Sequence, residues 1–194
     1  MEEAATGAKL NVLGIAGSLR AGSFNRALLR AAQELAPSGM KIDVFDLAPI
    51  PLYNADVEAK GDPEAVAALK AAIRQADALL FVTPEYNFGV PGVLKNAVDW
   101  ASRPPSGSAL SGKAAAIMGA TPGRGGTSRA QLQLRQAFLF TQTYALLQPE
   151  VLVAQAKEKF DAQGRLTDEP TRKIVVTLLE ALAAWTVRLR GPKT

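Results

Sequence analysis

Three short segments of this 194-residue chain carry no charged side chain: Leu10–Ala16, Ala78–Thr83 and Ala114–Ala120. Each runs into a stretch marked by glycine or proline, and apolar residues at helical spacing follow each. A short apolar run without polar alternation is the mark of a strand covered on both faces, and such strands belong to parallel sheets flanked by helices. The same periodicities supply the other elements. Phe24–Leu35 reads as a helix stopping before Pro37, and Ile42–Leu47 as a second strand. Ala48–Gly61 reads as a loop, and Asp62-Pro63 as an N-cap with a first-turn proline opening a helix to Gln75. Pro91–Ala101 predicts another helix, and Thr127 or Ser128 caps one running to Leu147. Glu150–Ala154 predicts a fifth strand, and after the polar turn Lys159–Gly164 a last helix spans Asp168–Leu189.

Strands alternating with helices predict an α/β chain, a three-layer sandwich with one parallel sheet. No repeat, low-complexity tract or linker interrupts the pattern, so residues 1–194 read as one domain, with 1–8 as a flexible N-terminal extension. The opening Met1–Gly7 is acidic and lacks the basic-then-apolar order of a leader. No apolar run approaches the roughly 18 residues of a membrane span. A cytoplasmic protein that binds no membrane is the expectation.

Two residue types are missing altogether: there is no cysteine and no histidine. That removes disulfides, thiolate nucleophiles, histidine-based triads, imidazole acid–base catalysis and the common zinc ligand sets. No metal site is expected, and no protein residue is expected to act as a catalytic acid, base or nucleophile. An enzyme with this composition draws its reactivity from a bound cofactor. The net charge of +4 comes without a Lys/Arg block, so nucleic acid is not an expected partner.

Three loops stand out, each at the carboxyl end of a predicted strand. Gly17-Ser18-Leu19-Arg20-Ala21-Gly22-Ser23-Phe24-Asn25 opens the first helix. A helix amino terminus offers free N–H groups and a positive dipole end, to which Ser18, Ser23 and Asn25 add neutral donors and Arg20 a forked cation. That set suits a terminal monophosphate; a plain helix cap with a surface arginine fits the same residues. Thr83-Pro84-Glu85-Tyr86-Asn87-Phe88-Gly89-Val90-Pro91-Gly92 can present an aromatic edge and backbone groups to a flat heterocycle, or form a rigid turn. Gly119-Ala120-Thr121-Pro122-Gly123-Arg124-Gly125-Gly126 can form a donor nest or a flexible surface loop. Together they carry more weight, because open α/β sheets bind ligands where strand order reverses, between strands one and three of the order 2-1-3-4-5.

These residues resemble the NADPH-dependent FMN reductase family, in the branch of chromate and quinone reductases and azoreductase-like enzymes. The resemblance rests on Gly17-Ser18-Leu19-Arg20 with Ser23-Phe24-Asn25, and on Pro84-Glu85-Tyr86-Asn87 leading into Pro91-Gly92-Val93-Leu94-Lys95-Asn96-Ala97-Val98-Asp99-Trp100. It implies a flavodoxin-like sandwich with a five-stranded sheet in the order 2-1-3-4-5. It also implies a bound FMN that receives hydride from NADPH or NADH and passes two electrons to quinones, with chromate, azo or nitro compounds as further acceptors. Ser18, Arg20, Ser23 and Asn25, with the Phe24 backbone, would hold the FMN phosphate. Pro84, Glu85, Tyr86 and Asn87 would line the ribityl chain and ring edge. Thr121 stands where a serine is frequent, and Gly123, Arg124, Gly125 and Gly126 would complete the pocket. Arg124 would meet either negative charge on the reduced ring or the phosphates of NADPH. The branch forms homodimers and homotetramers; Arg129 and Glu150 match positions at subunit contacts, or are ordinary solvated charges. Leu132 replaces a tyrosine of close relatives. A flavodoxin-type electron carrier is the alternative, and a non-redox mononucleotide-binding module a third reading. Carriers are usually acidic, unlike this chain.

Overall fold

The computed structural model describes residues 9–191, so the expected extension at 1–8 lies outside the described residues. Strand β1 (Leu10–Ala16) sits between β2 (Met40–Phe45) and β3 (Ala78–Val82), and β3 pairs with β4 (Ala114–Ala120). All of these pairings are parallel. The fifth sheet position is shared by two short strands. Tyr144–Ala145 (β5) pairs with Ala114–Ala115, and Val151–Val153 (β6) pairs with Met118–Ala120. The order 2-1-3-4-5 is the one expected, in a flavodoxin-like fold.

Every residue of β3 and β4 is buried, and successive side chains enter two separate cores. Leu80, Val82, Ala116 and Met118 join the core under α1 (Phe24–Glu34) and α6 (Glu169–Arg190). Leu79, Phe81, Ala115 and Ile117 join the core under α3 (Glu64–Gln75), α4 (Gly92–Ala101) and α5 (Ser128–Thr141). Period-2 alternation places neighbours on opposite faces, which is why neither face tolerates a charge. No helix among the described residues is long and apolar enough to cross a membrane.

Three local expectations shift. The loop after β2 contains a one-turn helix, α2 (Ala55–Glu58), whose first turn is capped by Asn54. Asn96 and Trp100 of α4 pin that loop. The Asn96 side chain accepts from Tyr53 N–H and donates to Pro51 C=O, and Trp100 Nε1 donates to the same carbonyl, each at 2.8 Å. Asp62 does not cap α3, where Pro63 takes the N-cap position with no side-chain bond. Its carboxylate receives the Lys70 ammonium at 2.5 Å. Lys70 is 2% exposed, and an ammonium left unpaired at that depth costs more than a missing cap of about 1 kcal/mol. Helix α5 stops at Thr141 rather than Leu147, because Gln142 turns left-handed (φ 55°) and the next residues complete the sheet edge as β5.

The Asp168 side chain caps α6, accepting from Thr171 N–H at 2.9 Å and from the Thr171 hydroxyl, with Lys159 Nζ at 3.3 Å. These bonds, the Thr171 hydroxyl first, hold its carboxyl below the usual carboxylate range. Asp161 is held low in the same sense by Arg165 and Gln163. A lowered folded-state pKa stabilises above the unfolded value and is lost as pH falls through the folded one. Thermal stability is therefore expected to be flat near neutrality and to fall below about pH 3.9. Asp168→Asn keeps a competent cap and should flatten that acid limb, whereas Asp168→Ala should cost about 1 kcal/mol at neutral pH. Melting curves from pH 2 to 7 check both.

Candidate cofactor site at the sheet edge

Adjacent parallel strands end on the same side, so the loops after β1, β3 and β4 leave one edge together. The first two touch. Gly17 N–H donates to Val82 C=O at 2.9 Å, and a Cβ added at Gly17 would lie 3.3 Å from Pro84 Cδ and 3.0 Å from Leu94. A side chain there would crowd Leu94 and Pro84, and glycine avoids that crowding.

In the first loop, Ser23 caps α1, its Oγ accepting from the N–H groups of Asn25 and Arg26. Phe24 N–H and those of Leu19, Arg20, Ala21 and Gly22 have no partner among the described residues. Arg20 is exposed, and no carboxylate pairs with it among the described residues. Asn25 is committed elsewhere. It is 2% exposed, and its amide clasps the end of β4, donating to Ala120 C=O at 2.8 Å and accepting from Ala120 N–H at 2.9 Å. The Phe24 ring packs inward against Phe160, leaving its backbone as the free group.

In the second loop, Tyr86 and Gly89 exchange two backbone bonds, of 3.1 and 2.9 Å, around Asn87 (φ 49°) and Phe88 (φ 64°). Positive φ at both central residues defines a type I′ turn. Phenylalanine at such a position is strained by about 1–3 kcal/mol. The Arg129 guanidinium lies 4.1 Å from the Phe88 ring centroid, an exposed cation–π contact worth about 0.5–1 kcal/mol, too little to offset the strain alone. Further bonds help to hold the turn. Val90 N–H donates to Gln133 Oε1 at 2.6 Å, and the Glu85 carboxylate accepts from Arg129 N–H at 2.9 Å and Ala130 N–H at 3.2 Å.

The third loop enters α5 through Gly126 (φ 60°) and Thr127 (φ 69°). A Cβ at Gly126 would lie 2.9 Å from Leu152 C=O. Thr121 Oγ1 accepts from Gly123 N–H at 3.3 Å and keeps its own hydrogen to donate. Between the second and third loops lies a cavity of about 600 Å³, lined by Glu85, Asn87, Phe88, Thr121, Gly123, Gly125, Thr127 and Arg129. Its size falls in the usual range of small-molecule sites, roughly 300–1,000 Å³.

Residues 10–158 match the NADPH-dependent FMN reductase family. The chain belongs to that family. It is 54% identical over 182 residues to an NAD(P)H-dependent FMN reductase of Pseudomonas aeruginosa, covering 94% of this chain and 98% of that protein. It is 43% identical to a 2-hydroxy-1,4-benzoquinone reductase of a Burkholderia species, over 91% of this chain and 96% of the other. Among solved structures it is similar to FerB, a flavoenzyme NAD(P)H:(acceptor) oxidoreductase of Paracoccus denitrificans. The TM-score is 0.84 at 37% identity, covering 92% of this chain and 98% of that one.

The reductase fold brings most of the expected site residues to one edge, in different roles. Glu85, Asn87, Thr121, Gly123 and Gly125 line the cavity. Pro84 is buried near Gly17 and Gly126 against Leu152, both outside the lining, and Tyr86 and Arg124 are exposed outside it. Ser18 faces a separate cleft of about 150 Å³ with Arg26, Arg30 and Asp46. Phe88, Thr127 and Arg129 are lining residues that sequence reasoning did not assign to the pocket. Their signal was adjacency to the motifs, and the contacts themselves join residues some 40 positions apart. Arg129 pairs with Glu85 at 3.2 Å within the chain.

FMN fits the donor set of the first loop. Five backbone N–H groups, Arg20 and the Ser23 O–H are free to donate, and no carboxylate opposes them among these residues. Asn25→Ala should leave both backbone groups of Ala120 unpaired and cost about 2–4 kcal/mol. Asn25→Asp keeps the acceptor but sets a buried carboxylate oxygen against Ala120 C=O, and should cost at least as much. Urea unfolding of the cofactor-free chain measures both.

Proposed function

We propose that residues 1–194 form a single FMN-binding domain that works as an NAD(P)H-dependent oxidoreductase with quinones as acceptors. The observation that carries this reading is the junction of the loops after β1 and β3, where a donor-rich, carboxylate-free turn leaves the same sheet edge as the loop that walls the 600 Å³ cavity and touches it at Gly17 and Pro84. That junction is the point of strand-order reversal where open α/β sheets bind ligands. The relatives named as FMN and benzoquinone reductases support the same assignment.

In this reading Ser18, Arg20, Ser23 and Phe24 N–H hold the phosphate, and Asn25 positions their loop by gripping β4. Pro84 shapes the floor beneath the second loop. Glu85, Tyr86 and Asn87 flank the ribityl chain and ring edge, while Thr121, Gly123, Gly125 and Gly126 form the opposite rim. FMN, when bound, supplies the redox chemistry, accepting a hydride from NADPH or NADH and returning two electrons to the acceptor. Because that transfer needs no protein acid or base, a chain without histidine or cysteine suffices. Arg124, exposed and outside the cavity lining, suits the phosphates of the incoming NADPH better than the ring. Chromate, azo and nitro compounds are secondary acceptors in this reading.

Association into homodimers or homotetramers belongs to the same proposal. Leu132, Leu139 and Phe140 of α5 are 62%, 82% and 71% exposed, an apolar stretch that suits a subunit contact.

The purified protein should be yellow and should bleach on anaerobic addition of NADPH or NADH, recovering its colour when a benzoquinone is added. A chain that stays colourless after incubation with FMN would overturn the assignment. Arg20→Ala removes a charge-assisted bond of about 1.5–3 kcal/mol and should weaken FMN binding about tenfold or more. Fluorescence titration reads that change, and unaltered affinity would remove Arg20 from the phosphate site.

A further inference from the structure

Helix α5 lacks a cap of its own. Its N-cap residue, Thr127, is left-handed and its hydroxyl accepts from the Gln131 side chain, capping none of the first-turn backbone N–H groups. The cap comes from 44 residues earlier in the chain: Glu85 Oε2 accepts the N–H groups of Arg129 and Ala130, while Oε1 meets Arg129 Nη1 at 3.2 Å. The Glu85 side chain is 10% exposed, and the cavity wall includes Glu85, Thr127 and Arg129 together. Two further links join the same loop to the same helix, Phe88 under the Arg129 guanidinium and Val90 N–H on Gln133. The loop from Pro84 to Val90 is thus fastened to the first two turns of α5.

The arrangement has an electrostatic side. A helix amino terminus presents roughly half a positive charge, and Arg129 adds a full one beside it. Glu85 sets one negative charge against both, on the wall of the pocket. A flavin ring gains negative charge on reduction, so the oxidised and reduced forms respond differently to that balance. Groups that add positive potential favour the reduced form, and a fixed carboxylate opposes it.

We propose that Glu85 is a positioning residue that holds the second loop against α5 and whose charge lowers the reduction potential of FMN in the pocket, with Arg129 acting in the opposite sense. The proposal rests on the FMN reading above. It assigns the carboxylate to the setting of the cofactor's reducing strength, and the adjacent Tyr86 and Asn87 to contact with the cofactor.

The test compares the full-length, FMN-loaded protein with Glu85→Gln and Arg129→Gln by spectroelectrochemical titration. Glutamine keeps an oxygen for the two helix N–H groups while removing the charge. Glu85→Gln should favour the reduced over the oxidised cofactor about tenfold, which for a two-electron couple is an upward shift of about 30 mV. Arg129→Gln should shift the potential downward. A merely structural role would move both variants the same way or neither, and either result overturns the proposal. If Glu85→Gln does not fold, Arg129→Gln decides alone: a lower potential supports the proposal, and an unchanged or higher one overturns it. A wild-type chain that takes up no FMN overturns the cofactor reading and this proposal with it. A wild-type chain that binds FMN, with both variants at the wild-type potential, overturns this proposal alone.

Discussion

A strand covered by helices on both faces has no room for an unpartnered polar side chain, because removing one from water costs several kcal/mol. β3 and β4 meet that condition at every residue, and β1 over most of its length. Polar chemistry is therefore displaced to the points where these strands stop. Since the strands are parallel, those points share one edge, and loops far apart in the chain become neighbours. The Gly17–Val82 bond and the tight approach of Gly17 to Pro84 bring the first two of those loops into contact.

Many polar groups at that edge serve the edge itself. Asn25 ties the first helix to the end of β4, Glu85 caps a helix that starts without one, and Gln133 holds the turn carrying Asn87 and Phe88. The backbone strain of that turn, two successive non-glycine residues at positive φ, persists because several contacts over-determine it. What remains free includes five N–H groups of the first loop, the Ser23 hydroxyl proton, the Arg20 guanidinium and the Thr121 hydroxyl proton. Donors outnumber acceptors in that remainder, which suits an anionic, oxygen-rich ligand.

The strands and most helices were legible because burial on both faces leaves a pattern in composition, and because Ser23 and Asp168 are local caps acting within three residues. The motif containing Asn96 and Trp100 was legible as a string, while its use as an anchor for Pro51 and Tyr53 was not. Misplaced features share a cause. Asp62 has the look of a cap, yet a buried ammonium eight residues later claims its carboxylate. The residues after Thr141 keep helical spacing, yet the open edge of β4 draws them into a strand. Asn25 reads as a phosphate donor in the string, which does not show that its amide also ties down Ala120.

The sandwich, the edge that carries the ligand loops and the absence of histidine and cysteine chemistry were all settled by the order and kind of the amino acids. These follow from side-chain polarity and short-range periodicity, which any stretch of the chain expresses on its own. Which polar groups are spent on the scaffold, and which stay free for a ligand, was settled by the folded chain alone. Hydrogen bonds and ion pairs depend on distances of about 3 Å between groups that lie tens of residues apart, and that proximity exists only once the sheet has closed.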